Sequence, residues 1–266
     1  MLTEKSHRVG DLTLEYVEAG SGDPLVLLHG FSGNWRSWSQ EIGLLSHRWR
    51  VIAPGSRGHG GSSSAPDGQY GYDVRVADAA SFIADVADGP VILGGHSMGG
   101  ATAMGIAGLH PGLVRAVVLE DPHVSAGYVE WVDELKRRRD LLRSRPTFAE
   151  LATAIQTDSP ETNAAATRLS TAKQTAMDPE AYNPFIEESM FDGFDPDSVL
   201  SAIRCPVLLM QAEFNLGGVV TDDAAARLQD LIPDCTHVKF PGTGHNIHED
   251  APIEFRRTLF DFLDTI

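Results

Sequence analysis

Ser97 stands in a pattern that is typical of a nucleophilic serine. The pattern Gly-x-Ser-x-Gly at 95–99 follows an apolar run at 91–93 and begins a helical pattern. A serine between a strand and a helix must turn sharply, so the residues two positions away must lack side chains. At the start of a helix, backbone N–H groups and the helix dipole favour developing negative charge. The pattern therefore predicts that Ser97 attacks an electrophilic carbon.

A serine hydroxyl needs a base beside it, and His245 is the predicted base. Histidine is the usual choice because its side chain titrates close to neutral pH. His245 follows Gly244 late in the chain, directly before the final helical pattern. The chain contains 10 histidines, and three others lie near motifs. His96 is interpreted as packing beside the serine turn and His248 as packing at the entrance of the final helix, while His59 lies in a loop.

Two backbone N–H groups are predicted to bind the negative oxygen that such an attack creates. One belongs to Phe31, which follows His29 and Gly30 just after an apolar run at 25–28. The other belongs to Met98, the residue after the predicted nucleophile. A pair of N–H donors in these positions forms an oxyanion hole, which stabilises a tetrahedral intermediate.

Together these motifs resemble the α/β-hydrolase fold superfamily over nearly the whole chain. The residues that carry the resemblance are His29-Gly30-Phe31, Arg57-Gly58-His59-Gly60, Gly95-His96-Ser97-Met98-Gly99-Gly100 and Gly242-Thr243-Gly244-His245. The resemblance implies a catalytic triad in the chain order serine, acid, histidine. It leaves the substrate open, because esterases, lactonases, thioesterases, carbon–carbon bond hydrolases and cofactor-free haloperoxidases share these motifs. The serine argues against the dehalogenases and epoxide hydrolases of the superfamily, which have aspartate there.

The triad acid departs from the superfamily pattern. The usual position after the seventh strand holds Asn215, whose amide cannot supply the negative charge that stabilises a protonated histidine. Asp121, at the end of the sixth strand pattern, is the predicted acid, as in some superfamily members. Neighbouring parallel strands end at the same face, where the histidine loop arrives. Glu213 is the second candidate, and the others are Glu120, Asn215 and the pair Asp222 and Asp223.

Short apolar runs alternate with longer helical patterns, which predicts a parallel sheet with helices on both faces. The predicted strands are the runs 25–28, 51–53, 91–93, 116–119, 207–210 and, more weakly, 238–240. The predicted helices lie near 35–46, 72–88, 98–109, 222–232 and 251–264. Polar and apolar residues alternate at 6–18, which predicts an antiparallel hairpin at the sheet edge. The predicted fold class is α/β, with a mostly parallel, eight-stranded sheet.

The stretch 123–200 interrupts this alternation and is predicted to be an inserted helical cap, with 1–122 and 201–266 as the core. Its helical patterns lie at 129–142, 148–157 and 164–177. The basic run 136–139 is interpreted as a solvated helix face. The substrate pocket is predicted between the cap and the strand ends, with five candidate lining residues: Trp35, Trp131, Phe148, Met190 and Phe191.

Composition excludes several classes of partner. The chain has 266 residues, with 37 acidic and 21 basic side chains and a net charge of −16. This balance argues against nucleic acid and anionic membranes as partners. The 2 cysteines form no metal or redox motif, and no cofactor-binding motif is present, so no cofactor or metal is expected. The first residues have no apolar signal core and no run is long enough to span a membrane, which predicts a cytoplasmic protein.

The motifs and the resemblance together predict a serine hydrolase for a small-molecule substrate. We expect a hydrophobic ester or lactone, cleaved through an acyl-enzyme, because an apolar pocket with few polar groups suits such a molecule. A carbon–carbon bond hydrolase or a haloperoxidase with the same triad is the alternative. A non-catalytic small-molecule receptor is a further one, since Asn215 stands at the usual acid position.

Overall fold

The computed structural model describes residues 2–65, 68–124, 132–160, 162–192 and 195–266. Within these residues the centre of the protein is an eight-stranded sheet. Every predicted strand run lies within one of its strands or overlaps it. The strands are β1 (Thr3–Val9), β2 (Leu12–Ala19), β3 (Pro24–Leu28), β4 (Arg50–Pro54), β5 (Val91–His96), β6 (Val114–Glu120), β7 (Val207–Gln211) and β8 (Cys235–Lys239).

The sheet is mostly parallel, which confirms the predicted fold class. Its strands lie in the order β1-β2-β4-β3-β5-β6-β7-β8. β1 and β2 form an antiparallel hairpin at the edge, and β2 pairs antiparallel with β4. The remaining neighbours are parallel. Because parallel strands end at the same edge, the segments that follow β3, β5, β6 and β7 meet there.

Helices connect most of the strands. No helix in the described ranges is long and apolar enough to cross a membrane. The predicted helix at 35–46 divides into a 3₁₀ turn, Trp35–Trp38, and a short α-helix. The α-helices are α1 (Ser39–Leu45), α2 (Tyr72–Val86), α3 (Met98–Leu109), α4 (Val132–Arg143), α5 (Phe148–Asp158), α6 (Ala164–Thr175), α7 (Asn183–Ile186), α8 (Pro196–Ala202), α9 (Asp222–Leu231), α10 (Ile247–Asp250) and α11 (Pro252–Leu263).

Apolar side chains cover both faces of the sheet. All five residues of β3 are buried. Val26 and Leu28 join a core that includes residues of α2, α3 and α9. Leu25 and Leu27 join the core on the other face, with residues of α1 and α11. Burial on both faces explains why the central strands appear in the sequence as continuous apolar runs.

The described part of the predicted cap is helical and has a small core of its own. Tyr70, from the loop after β4, packs in this core. Thr147 and Glu150 form a reciprocal capping box that fixes the start of α5. The division into core and cap stays a prediction, and 125–131, 161 and 193–194 lie outside the described residues. The residues of this small core from the cap are Leu142, Leu151, Ile155, Met177, Ala181 and Tyr182.

Candidate active site

Ser97 lies in a sharp turn between β5 and α3. Its φ of 53° and ψ of −115° are a strained combination for a residue with a side chain. A Cβ on Gly95 would lie 2.3 Å from the carbonyl oxygen of Gly99, and a Cβ on Gly99 would lie 2.2 Å from that of Leu28. Both glycines are therefore required by the close approach of the backbone. The N–H of Ser97 donates to the carbonyl of Glu120 at 3.0 Å, which joins the turn to the end of β6.

The loop after β3 passes beside Ser97. A Cβ on Gly30 would lie 3.5 Å from Cβ of Ser97. Phe31, the next residue, lines the same cleft as the serine. Met98 is the first residue of α3, and the first N–H groups of a helix have no acceptor within it. The two predicted oxyanion donors are therefore both beside the serine.

Two buried histidines hold this loop in place. Nδ1 of His29 donates to the carbonyl of Gly30 at 2.8 Å, and its Nε2 accepts from the N–H of Ser56 at 3.0 Å. Nε2 of His59 lies 2.5 Å from the carbonyl oxygen of Phe31. Burial lowers the pKa of His29 to about 3, so its ring stays neutral and its Nε2 remains an acceptor. These contacts fix the backbone on which the Phe31 N–H depends.

Asp121 contacts His245 directly. The distance from its Oδ2 to Nδ1 of His245 is 2.6 Å, and the Asp121 side chain is fully buried. With Nδ1 donating to the carboxylate, Nε2 of His245 is left to act as the base. His245 and Ser97 line the same cleft. The structure thus brings together the three predicted members of the triad.

The Asp121 carboxylate is held by backbone N–H groups from the connection after β7. Val219 donates to Oδ2 at 2.8 Å, and Ala212 and Val220 each donate to Oδ1 at 3.3 Å. Hydrogen bonds to a carboxylate favour its charged form and fix its orientation. The connection after β7 therefore provides three amide donors to Asp121, which directly follows β6.

The other acid candidates have different partners. Glu213 accepts from the N–H of Gly242 at 2.6 Å, which holds the loop leading to His245. Asn215 is exposed in the 3₁₀ turn Phe214–Leu216. Asp222 accepts from Gln211 and Lys239. Among the candidates for which the described residues show a partner, Asp121 alone contacts His245.

Glu120 binds a second histidine of the same loop. Its Oε1 accepts from both the N–H and Nδ1 of His248, each at 2.8 Å. Burial disfavours a charge on His248, but the carboxylates of Glu120, Glu249 and Glu41 together outweigh it and raise the pKa of His248. Adjacent carboxylates at the end of β6 thus hold His245 and His248, three residues apart, from opposite sides of the strand. In the sequence, only the alternation of side chains along β6 indicated that Glu120 and Asp121 point to opposite sides.

Buried histidines make the folded state sensitive to acid. Burial lowers the pKa of His29 and of His123 to about 3. A histidine in the unfolded chain titrates near pH 6.5. Between about pH 6.5 and 3 the unfolded chain therefore binds more protons than the folded chain. The free energy of unfolding should fall as the pH decreases, by roughly 1.4 kcal/mol per pH unit for each such histidine. The raised pKa of His248 acts above about pH 6.5, where its contribution to stability is lost as the pH rises, so it does not offset the loss below that pH. The urea midpoint should be lower at about pH 5.5 than at pH 7.

Two variants separate this effect from general acid destabilisation. His123→Gln should weaken the pH dependence of the urea midpoint, because it removes one buried neutral histidine. His47→Gln should leave that dependence unchanged, because His47 is exposed. Equal midpoints for the unaltered protein at both pH values would contradict the prediction.

The cleft beside Ser97 has a volume of about 560 Å³. One wall is aromatic: Phe31 packs against Tyr182 and Phe185, with ring centroids 4.7 and 4.2 Å apart. The part formed by α4, α5 and α6 is mostly polar, with Leu135 and Ile155 as its apolar side chains, which differs from the expected apolar pocket. Within the described ranges, no group of three or more His, Cys, Asp or Glu side chains could hold a metal ion. The polar side chains from these helices are Glu134, Arg138, Asp158, Ser170, Lys173 and Gln174.

The predicted lining residues were wrong wherever the structure describes them. Trp35 is buried in the core that contains α1 and α11. Phe148 is exposed at the start of α5. Met190 is buried and Phe191 packs against the core beside α2. Trp131 lies outside the described residues. A large apolar side chain in the sequence indicates burial, but it does not indicate which surface it covers.

The interpretation of the basic run 136–139 as a solvated helix face is wrong for Arg138. Its side chain is buried and lines the cleft, whereas Lys136 and Arg137 are exposed. It donates to Oε1 of Gln174 at 2.8 Å and pairs with Asp158. The available signal was helical spacing, since Arg138 lies three residues after Leu135 and four before Leu142, on the apolar face of α4.

Comparisons with known proteins agree with this fold. The family model described as the alpha/beta hydrolase fold matches residues 23–252. The 2-hydroxy-6-oxo-6-(2'-aminophenyl)hexa-2,4-dienoic acid hydrolase of Metapseudomonas resinovorans is 30% identical, over 98% of this chain and 90% of the relative. The N-formylmaleamate deformylase of Pseudomonas putida is 30% identical, over 92% of this chain and 90% of the relative. The chain therefore belongs to the α/β-hydrolase fold family and is classed as a hydrolase.

A solved structure supports the same assignment. The crystal structure of E-2-(acetamidomethylene)succinate hydrolase superposes with a TM-score of 0.79 at 25% identity. The match covers 99% of this chain and 100% of that one. The resemblance inferred from the motifs is therefore confirmed.

Proposed function

We propose that this protein is a serine hydrolase that cleaves a small ester or lactone through an acyl-enzyme on Ser97. The observation that carries the proposal is the 2.6 Å contact between Asp121 and His245, at a cleft that Ser97 also lines. A carboxylate bonded to Nδ1 holds histidine in the tautomer that can accept a proton at Nε2. Nothing in a purely structural role requires this arrangement beside a strained serine.

The proposed reaction has two halves. Oγ of Ser97 attacks the carbonyl carbon while Nε2 of His245 takes its proton, and that proton then passes to the leaving alcohol. The N–H groups of Phe31 and Met98 bind the tetrahedral oxyanion. In the second half, water attacks the acyl-enzyme and gives a proton to His245. His245 then passes this proton to Oγ of Ser97, which releases the acid. Asp121 stabilises the protonated His245 in both halves.

The aromatic wall suits the apolar part of a substrate. Phe31, Tyr182, Phe185 and Leu216 line the cleft together with the triad. The cleft volume of about 560 Å³ is within the range of small-molecule sites. We therefore retain a partly hydrophobic ester or lactone as the substrate class, with polar groups at the end near α4 and α6.

A chromogenic panel with an active-site probe tests the proposed function. The unaltered protein should hydrolyse at least one short aryl ester or lactone, and a fluorophosphonate should label Ser97 and stop that turnover, because only an activated serine reacts. Absence of both turnover and labelling would contradict the proposal and favour a non-catalytic receptor.

Cleavage of a carbon–carbon bond is the second candidate. The relative from Metapseudomonas resinovorans is named for a 6-oxo-dienoic acid, which is a ketone rather than an ester. The same triad and oxyanion hole can serve attack on a ketone carbonyl. Product analysis after incubation with an aryl-substituted 6-oxo-dienoate separates the two candidates. Carboxylic acid formation from this ketone at a higher kcat/KM than from any ester would favour the second.

A further inference from the structure

Lys173 places a buried positive charge at the active-site cleft. It lies near the end of α6, and its side chain is 12% exposed. It lines the same cleft as Ser97 and His245. Burial lowers the pKa of His96, and the neighbouring His245, His248 and, last in size, Lys173 lower it further.

The partners of Lys173 do not neutralise this charge fully. Its Nζ donates to Oγ of Ser37 at 3.4 Å, a long hydrogen bond. The nearest carboxylate oxygen in the described structure is Oε1 of Glu249 at 3.8 Å, and the Glu249 side chain is 41% exposed. An ammonium group carries three N–H donors, so Lys173 retains donor capacity at the cleft. Burial lowers the pKa of Lys173, because removal from water disfavours the charged ammonium.

Arg138, the other lysine or arginine among the described residues that line the cleft, differs in this respect. Arg138 pairs with the Asp158 carboxylate and donates to Gln174. The Asp158 carboxylate therefore balances the charge of Arg138 directly, whereas Lys173 has only the more distant carboxylate of Glu249, at 3.8 Å. Glu134 and Asp250 also line the cleft, so an anion would be recognised locally at Lys173 rather than by a positive field over the whole cleft.

We propose that Lys173 binds a carboxylate group of the substrate, and that the enzyme therefore prefers substrates that carry a carboxylate as well as the bond to be cleaved. The proposal rests on the serine hydrolase function proposed above and adds a specificity-determining residue to it. A carboxylate at this position would receive a charge-assisted hydrogen bond in a site largely removed from water. Ser37 lies beside it as a second possible donor.

A structural role for Lys173 makes a different prediction. If the lysine served only to join α6 to the core through Ser37 and Glu249, its loss would slow charged and neutral substrates to the same extent. The ratio of kcat/KM for a charged ester to that for its neutral counterpart separates the two roles, because misfolding or a shifted helix cancels in the ratio.

Two matched substrate pairs provide this ratio. Mono-para-nitrophenyl glutarate and para-nitrophenyl pentanoate differ by a carboxylate on the acyl side. Para-carboxyphenyl pentanoate and para-tolyl pentanoate differ by a carboxylate on the leaving group. Lys173→Gln should lower the charged-to-neutral ratio at least about tenfold in one pair, chiefly by raising KM for the charged ester. Glu249→Gln should raise the ratio in that pair, because it removes a competing carboxylate.

Arg168→Gln is the control, because Arg168 lies exposed on the same helix and lines a different surface groove. It should leave both ratios within about twofold of those of the unaltered protein. Ratios for Lys173→Gln that stay within about twofold in both pairs would overturn the proposal. If the unaltered protein shows neither ester turnover nor fluorophosphonate labelling, the result would instead contradict the serine hydrolase function.

Discussion

Ser97→Ala should reduce turnover of an activated ester by a factor on the order of 10⁵ or more, with little change in stability. The variant loses the atom that forms the covalent bond, and only the oxyanion hole and substrate binding remain to assist attack by water. Alanine and serine carry the same Cβ, so the strained turn with φ of 53° is affected equally by either residue. The measurement is kcat/KM on a para-nitrophenyl ester, together with the urea midpoint.

A second serine at the cleft provides the control for this result. Ser32 lines the cleft and is exposed in the loop after β3. Ser32→Ala should retain activity within about threefold, because its hydroxyl has no part in the proposed chemistry. Turnover by Ser97→Ala above roughly a tenth of that of the unaltered protein would rule out Ser97 as the nucleophile.

Asp121→Asn should reduce kcat by a factor on the order of 10³ to 10⁴. The substitution removes the negative charge 2.6 Å from Nδ1 of His245, so the protonated histidine loses its stabilisation. It also disturbs the three N–H contacts from the connection after β7, because an amide has one acceptor oxygen where the carboxylate has two. The expected loss is in kcat more than in KM, since the charge on histidine develops during the reaction.

Two substitutions on the segment after β7 complete the test of the acid. Glu213→Gln should keep most of the activity, because Glu213 holds the loop at Gly242 and does not contact His245. Asn215→Ala should have a small effect, because Asn215 is exposed. If Glu213→Gln loses activity while Asp121→Asn retains it, the acid belongs to the segment after β7.

The sheet could be predicted because its signals are local. Continuous apolar runs such as 25–28 and 207–210 are dictated by burial on both faces, and each run specifies its own strand. The strained turn at Ser97 is also a local property of two glycines. The position of Asp121 followed from the order of strands, since the ends of β6 and β7 are neighbours. These predictions needed no knowledge of side-chain packing.

The cleft could not be predicted in the same way. Arg138 belongs to a run of basic residues, and its burial depends on Asp158 and Gln174, which lie 20 and 36 residues further along the chain. Lys173 has no pattern around it that distinguishes it from a surface lysine. Its hydrogen bond to Ser37 joins residues that are 136 positions apart in the chain. Polar lining of this kind arises from the packing of helices, which the pattern of a single helix does not specify.

Location of the acyl group on the protein tests the central claim most directly. Asp121→Asn should deacylate slowly, while the good leaving group of an activated ester should still allow Ser97 to be acylated, so an acid quench at successive times should preserve the intermediate. Peptide mass spectrometry should then find the mass of the acyl group on Ser97, and Ser97→Ala should show none. An acyl group on another residue, or turnover of the ester with no acylation of Ser97 at any time point, would contradict the account.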